Sequence, residues 1–343
     1  MEQGYHLVAI GGGGGTSHIL TAAESFCSRR TAIVAVTDTG RSTGVARSLA
    51  NMPAPGDLRN TLATMAADPT SLFANLLQHR FHSHEVTALE GMAFGNLLIA
   101  ALTQMTGDFA RAIATVAELV ESSVQVLPVS TVSTHLCAEL EDGCIMEDEF
   151  AVRGLNKSPI RRVFLADTPA PAHQPALDAI TEADMVVIGP GSLFTSILVT
   201  LLFDGVIDAL RRTKATVVYV CNTSTQPGQT DGYRAIDHIN RVTEVLGEGV
   251  LDVAVLNRSP NLDPAVVLQY ANDGVYLLTP DEEEMAMLDS LGVRCLVEDH
   301  VVQVAAKQQL WNKQDSIRRD PALLGRALWN VLHHGTHGHE SAE

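Results

Sequence analysis

The chain is short of cations, of cysteine and of long apolar runs. Lysine and arginine number 23 against 40 acidic residues, a formal net charge of -17 with histidine neutral. That field repels a nucleic-acid backbone, and no basic stripe offsets it, which leaves small molecules and other proteins as partners. A nucleotide remains admissible, because backbone amides and a metal recruit phosphate against an unfavourable net charge. The five cysteines (Cys27, Cys137, Cys144, Cys221, Cys295) lie far apart and are odd in number. They suggest neither a zinc site nor a disulfide frame, and they read as reduced, mostly buried thiols of a cytoplasmic protein. The opening MEQGYHLVAIGGGGG has no basic region ahead of a long apolar stretch, so no signal peptide is expected. The longest uncharged run, Met185 to Phe203, spans 19 residues but is broken by Gly189, Pro190, Gly191 and Ser192. A buried strand handing over to a helix explains it better than a membrane span.

What is present is an ordinary globular composition, 46% hydrophobic over 343 residues with 26 glycines and 14 prolines. His6 to Ile10 is an apolar run that ends in Gly11 to Gly15, followed by a helical pattern and a second apolar run, Ala32 to Val36. This is the opening βαβ unit of a doubly wound sheet, parallel with a right-handed crossover. Residues 39–60 look loop-like because Gly40, Gly44, Pro53, Pro55 and Gly56 interrupt them. Helices are expected over 58–67, 72–79, 94–106 and 109–120, the last capped by Asp108. Residues 126–129, 134–139 and 144–152 read as short strands, the last two forming a hairpin about Glu141, Asp142 and Gly143. Alternation resumes with strands over 163–166, 185–188, 216–220 and 250–256, with a strand over 294–297 and a terminal helix over 322–332. The fold class is therefore α/β, a Rossmann-like, mostly parallel sheet with helices on both faces and a small antiparallel excursion. One domain is expected over 1–332 with an inserted subregion near 125–160. Residues 333–343 carry four histidines (His333, His334, His337, His339) and read as a flexible tail.

Three loops could carry chemistry. Gly12, Gly13 and Gly14, with Thr16, form a glycine turn between strand and helix that admits phosphate to backbone amides. The turn lacks a P-loop lysine and fits the dinucleotide fingerprint loosely, so close helix–sheet packing is the competing explanation. Asp38 follows the second strand, 23 residues beyond Gly15, where an acid accepts ribose hydroxyls or holds magnesium. Asp57 adds a second carboxylate, or else a helix cap, and Arg59 and Asn60 stand beside it as phosphate clamp and amide, or Arg59 is simply exposed. The third loop is Gly189-Pro190-Gly191-Ser192, whose following helix carries Thr195 and Ser196. Its amides and hydroxyls make a second anion site. After the next central strand, Asn222 and Gln229 lie in a polar loop at a carboxyl end, where parallel-sheet sites form. Asp237 and His238 come next on a helix, as a mutually satisfied pair or with His238 as a base.

In order and spacing these loops resemble the gluconeogenesis-factor family, also described as 2-phospho-L-lactate transferase-like. The matching stretches are IGGGGGTSHIL, VAVTDTGRSTG, PAPGDLRN, GMAFGNLLIAALTQMTGDF, VLPVS, VIGPGSLFTSIL and YVCNTSTQPGQTDGYRAIDHI. The resemblance implies a nucleotide or nucleotide-sugar site across one Rossmann-like body. It also implies self-association as a homodimer or higher homo-oligomer. Its transferase branch joins a phospholactyl group to a deazaflavin hydroxyl, using a guanosine-diphosphate-linked donor and Mg2+. Its bacterial branch is similar to UDP-sugar-binding proteins tied to cell shape and growth on gluconeogenic carbon. Carried over, Gly12 to Thr16 form the phosphate cradle, Asp38 survives as the family's carboxylate, and Asn96 is an amide facing the site; the residues themselves put Asp38 and Asp57 forward as magnesium ligands.

Two departures matter. The family pairs acids where this chain has Asp38 then Thr39, and has Gly-Glu-Thr where this chain has Gly228-Gln229-Thr230. Gln229 cannot serve as a base. The motifs therefore favour a UDP-sugar-binding protein over a magnesium-dependent transferase with Asp57 or His238 as base. NAD binding is the weakest alternative, because nothing marks a hydride site.

Overall fold

The computed structural model describes residues 4–83, 85–258, 262–299 and 319–334. Seven parallel strands form the main sheet: β1 (Tyr5–Gly11), β2 (Cys27–Val34), β3 (Gln125–Pro128), β7 (Met185–Ile188), β8 (Thr216–Val220), β9 (Val253–Asn257) and β10 (Arg294–Glu298). Three antiparallel strands, β4 (Leu136–Leu140), β5 (Ile145–Glu147) and β6 (Ile160–Leu165), make the small sheet.

The main order is β10-β9-β8-β7-β1-β2-β3. Neighbouring strands β1 and β7 are in register, with Ile10 opposite Ile188, and the order reverses at that seam. Such a reversal opens a crevice at the carboxyl ends of the two strands. β7 is buried along its length and β1 everywhere but Tyr5, as their unbroken apolar runs require of strands covered by helices on both faces. The small sheet is no separate body. Leu136, Ala138, Ile160, Val163 and Leu165 belong to the same continuous core as β1 and β7.

Several sequence expectations shift. The stretch 39–60 holds two helices, Arg41–Ala50 and the start of Gly56–Thr64. Gly40 opens the first and Asn51, left-handed at φ 47°, closes it, so the residues that looked like breakers are its ends. The stretch 144–152 divides into β5 and a short helix, Glu149–Val152, whose Ala151 amide donates to the Asp148 carboxylate at 2.9 Å. The strand over 163–166 pairs with β4 in the small sheet, outside the main alternation. Asp108 does cap the helix Phe109–Leu119, accepting from the Arg111 amide at 3.1 Å.

The terminal helix Pro321–His334 packs on Gly13–Ala22, where a Cβ at Gly325 would stand 2.4 Å from the Ala22 carbonyl oxygen. His333 belongs to this helix, and the histidine-bearing residues after His334 lie outside the described residues. Among the described residues no helix is long and apolar enough to cross a membrane. Cys27, Cys137, Cys144, Cys221 and Cys295 are free, with Cys144 exposed and Cys295 half-buried.

Candidate functional site

The glycine turn after β1 and the glycine–proline turn after β7 meet at the seam. A Cβ on Gly15 would come within 1.7 Å of the Pro190 carbonyl oxygen, and one on Gly12 within 2.8 Å of the Ser196 hydroxyl. At Gly13 the obstacle is the Asp57 carbonyl, 2.4 Å away. Gly12, Gly13 and Gly15 are therefore glycines for close backbone approach. Gly14 differs: it is exposed, and a Cβ there would meet nothing within 4 Å. The helix Gly13–Ala22 has no side-chain cap, so its leading amides around Gly14 are the donors left to an anion. Thr16 is spent inward, its hydroxyl donating to the Gly12 carbonyl at 3.0 Å.

Asp57 sits in the first turn of Gly56–Thr64, and its Oδ2 lies 3.1 Å from where a Gly12 Cβ would be. This carboxylate borders the glycine turn directly. Asp38 lies beyond the end of β2 in the adjoining loop. Its Oδ1 accepts from the Gly40 amide and its Oδ2 from the Thr43 hydroxyl, both at 2.8 Å. Gly56 packs against the same group, a Cβ there standing 3.0 Å from Asp38 Oδ2. The helix that looked like a loop thus supplies the hydroxyl that orients Asp38. Its Ser42 accepts from Asn96 Nδ2 at 3.1 Å and from the Ala93 amide at 2.8 Å. Asn96 is buried, and among the described residues its Oδ1 meets no donor.

Arg59 is buried, contrary to the exposed alternative. Burial, together with Arg80, holds its guanidinium down to about 10, and Asp57 and Asp38 oppose that shift. Its Nη1 donates to the Leu77 carbonyl at 3.1 Å and also to Gln78 Oε1. Gln78 in turn donates through Nε2 to Asn60 Oδ1 at 2.8 Å. One amide therefore braces both Arg59 and Asn60. Nothing local marked Gln78, since the contact joins residues 18 and 19 positions apart on different helices.

On the other side of the seam, Gly191 donates its amide to Asn222 Oδ1 at 3.2 Å. The hydroxyls of Thr195 and Ser192 form a buried relay, Thr195 donating to Ser192 at 2.8 Å and Ser192 to Gln229 Oε1 at 2.8 Å. Both hydroxyls donate within the protein. Thr195 lies in a π-helical segment, Leu193–Leu198, with Ser192 at its N-terminal boundary, a geometry that recurs at functional sites. The loop that leads into β6 of the small sheet reaches this side, where the Lys157 ammonium donates to the Gly228 carbonyl.

His238 stands apart from these contacts. It is fully buried on Ala235–Leu246, its Nδ1 donates to the Arg234 carbonyl at 3.0 Å, and burial holds its imidazole down to about 4. Asp237 accepts from the Arg234 amide at 2.7 Å, so both side chains hydrogen-bond one helix start, and Asp237 acts on His238 only through its charge, which opposes the effect of burial. Among the described residues no group of three or more histidine, cysteine, aspartate or glutamate side chains gathers as a metal site. Magnesium held by Asp57 and Asp38 would draw its remaining ligands from phosphate oxygens and water, which is its usual habit.

Residues 7–301 match the family described as 2-phospho-L-lactate transferase CofD. The chain is similar to the gluconeogenesis factor of Halalkalibacterium halodurans, with 38% identity over 323 residues that span 94% of this chain and 95% of that one. It is also similar to the gluconeogenesis factor of Bacillus subtilis strain 168, with 34% identity over 332 residues, 97% of this chain and 99% of that one. The solved structure of a upf0052 family member from Bacillus halodurans superimposes with a TM-score of 0.85 at 34% identity, covering 96% of this chain and 100% of that one.

Proposed function

Because the chain belongs to the 2-phospho-L-lactate transferase CofD family, we propose that its seam binds a nucleoside-diphosphate-linked donor and passes a phosphoryl-linked group to a hydroxyl acceptor. The observation that carries this is the meeting of two glycine turns at one strand-order reversal, with the Asp57 carboxylate against Gly12. In the transfer, the acceptor oxygen bonds to the donor phosphorus adjoining the transferred group. The bond from that phosphorus to the bridging oxygen breaks, and a nucleoside monophosphate leaves. In this reading Asp57, beside Gly12, takes the hydroxyl proton, and the backbone amides around Gly14 meet the developing negative charge. Magnesium, held by Asp57 and Asp38, would neutralise phosphate charge when bound.

A second reading, binding of a UDP-sugar without turnover in a role linked to cell shape, is favoured by the side chains at 39 and 229. Threonine and glutamine stand there where a transferase would profit from acids. One experiment separates the two. The protein is titrated with UDP, a UDP-sugar and GDP in the presence of magnesium, then incubated with each nucleotide-linked donor and an acceptor panel while nucleoside monophosphate is measured. Monophosphate release supports transfer, and saturable binding without release supports the second reading. Absence of binding by every nucleotide overturns both.

A further inference from the structure

We propose that the Ser196 hydroxyl is the side-chain donor that the seam offers to the ligand's diphosphate, bonding a phosphate oxygen from the β7 side while the amides around Gly14 hold it from the β1 side. This deepens the nucleotide reading above and rests on it.

Two side chains converge on Gly12. A Cβ there would stand 2.8 Å from Ser196 Oγ, 3.0 Å from Ser196 Cβ and 3.1 Å from Asp57 Oδ2. They arrive from opposite halves of the sheet, Ser196 on the segment after β7 and Asp57 on the helix Gly56–Thr64, between β2 and β3. Ser196 also borders the second glycine turn, its Cβ lying 3.7 Å from where a Gly191 Cβ would be. Its backbone is tied on both sides: the amide donates to the Ser192 carbonyl at 3.0 Å, and the carbonyl accepts from the Thr200 hydroxyl at 2.6 Å. The side chain is thus held where both turns and the Asp57 carboxylate come together.

The neighbouring hydroxyls are all spent on the protein. Thr16 donates to the Gly12 carbonyl at 3.0 Å, Ser17 to the Gly13 carbonyl at 2.7 Å and Thr61 to the Asp57 carbonyl at 3.0 Å. Ser192 and Thr195 are engaged in the relay to Gln229. Ser196 is half-buried, and among the described residues its hydroxyl makes no hydrogen bond. An alanine would make the same Cβ contact with Gly12, so packing does not require the oxygen. A hydroxyl also suits the place chemically. Asp57 repels unprotonated phosphate until magnesium stands between them, whereas a serine donates to a phosphate oxygen without adding charge.

The test is Ser196→Ala, which keeps the Cβ and removes only the oxygen. Tm is measured, and UDP, GDP and inorganic pyrophosphate are each titrated by calorimetry with magnesium. Ser192→Ala, which breaks the buried relay, shows what a hydroxyl used by the fold costs in Tm. We expect Ser196→Ala to keep the wild-type Tm and to bind all three probes about tenfold more weakly, the worth of one hydrogen bond to a charged group. Unchanged affinity overturns the inference alone, as does a fall in Tm matching that of Ser192→Ala, which would assign the hydroxyl to the fold. A loss confined to the nucleotides, with pyrophosphate bound as before, moves the contact to the nucleoside and also overturns it. A wild-type protein that binds none of the three probes overturns the nucleotide reading, and the inference falls with it.

Discussion

Gly15 faces the carbonyl oxygen of Pro190 so closely that a Cβ on Gly15 would lie 1.7 Å from it. The two residues are 175 positions apart and belong to turns that end neighbouring strands. The contact locks the halves of the sheet together at their seam. Gly15→Ala must therefore push the turns apart, and a loss of about 2–4 kcal/mol of stability is expected from denaturant unfolding.

Gly14→Ala is the matching control, because among the described residues no atom beyond its own helical turn stands within 4 Å of its Cβ position. Alanine at an open helical position changes stability by less than about 1 kcal/mol and in the favourable direction. If phosphate docks on the amides around Gly14, the added methyl intrudes on the ligand and not on the fold. The expected signature is unchanged or raised Tm with weaker nucleotide binding, and unchanged binding would move the phosphate elsewhere.

The centre of the sheet was legible because β1, β7, β8 and β9 are short apolar runs closed by glycine or polar turns, as strands covered on both faces are. The site was legible only in part. Glycines and acids announced the cradle, but the helix Arg41–Ala50 was hidden, since Gly40 and Gly44 resemble loop punctuation. With it went the roles of Ser42 and Thr43, which orient Asn96 and Asp38. Arg59 shows the same limit. Charge alone suggests an exposed side chain, and only the packing of Gly95 against its stem, where a Cβ would stand 2.8 Å from Arg59 Cγ, explains its burial.

Thr43→Val tests the orientation of Asp38. It keeps the volume and removes the 2.8 Å donor to Oδ2, so a stability loss of about 1–2 kcal/mol is expected. The looser carboxylate should also raise the magnesium concentration needed for half-maximal nucleotide binding. An unchanged magnesium dependence would separate Asp38 from the metal.

Gln78→Leu tests the brace on Arg59 and Asn60. Gln78 is exposed, so the substitution should cost less than about 1 kcal/mol in unfolding experiments. It nonetheless frees the Asn60 amide and leaves the guanidinium held by the Leu77 carbonyl alone, and a several-fold weaker nucleotide affinity follows if these groups contact phosphate. Equal affinity in the variant would assign the brace to folding alone.

His238 makes a prediction about pH whose sign is fixed by its burial. The imidazole is held down to about 4 in the folded chain, against 6.5 when exposed, chiefly because burial disfavours the charged ring. Between those values the unfolded chain binds a proton that the folded chain refuses, so stability falls as the pH drops from 6.5 toward 4. The loss assigned to this residue is about 3 kcal/mol across that window. His6 and His173 are shifted the same way by burial, so the wild-type curve alone does not isolate the effect. His238→Asn keeps an NH2 donor toward the Arg234 carbonyl and removes the titration. Unfolding free energies of the two proteins should diverge below pH 6.5, with the variant the less sensitive to acid, while nucleotide affinity at neutral pH stays the same. Parallel curves would mean that the folded protein protonates the ring as readily as the unfolded one. A loss of turnover at neutral pH with binding intact would restore His238 to the reaction.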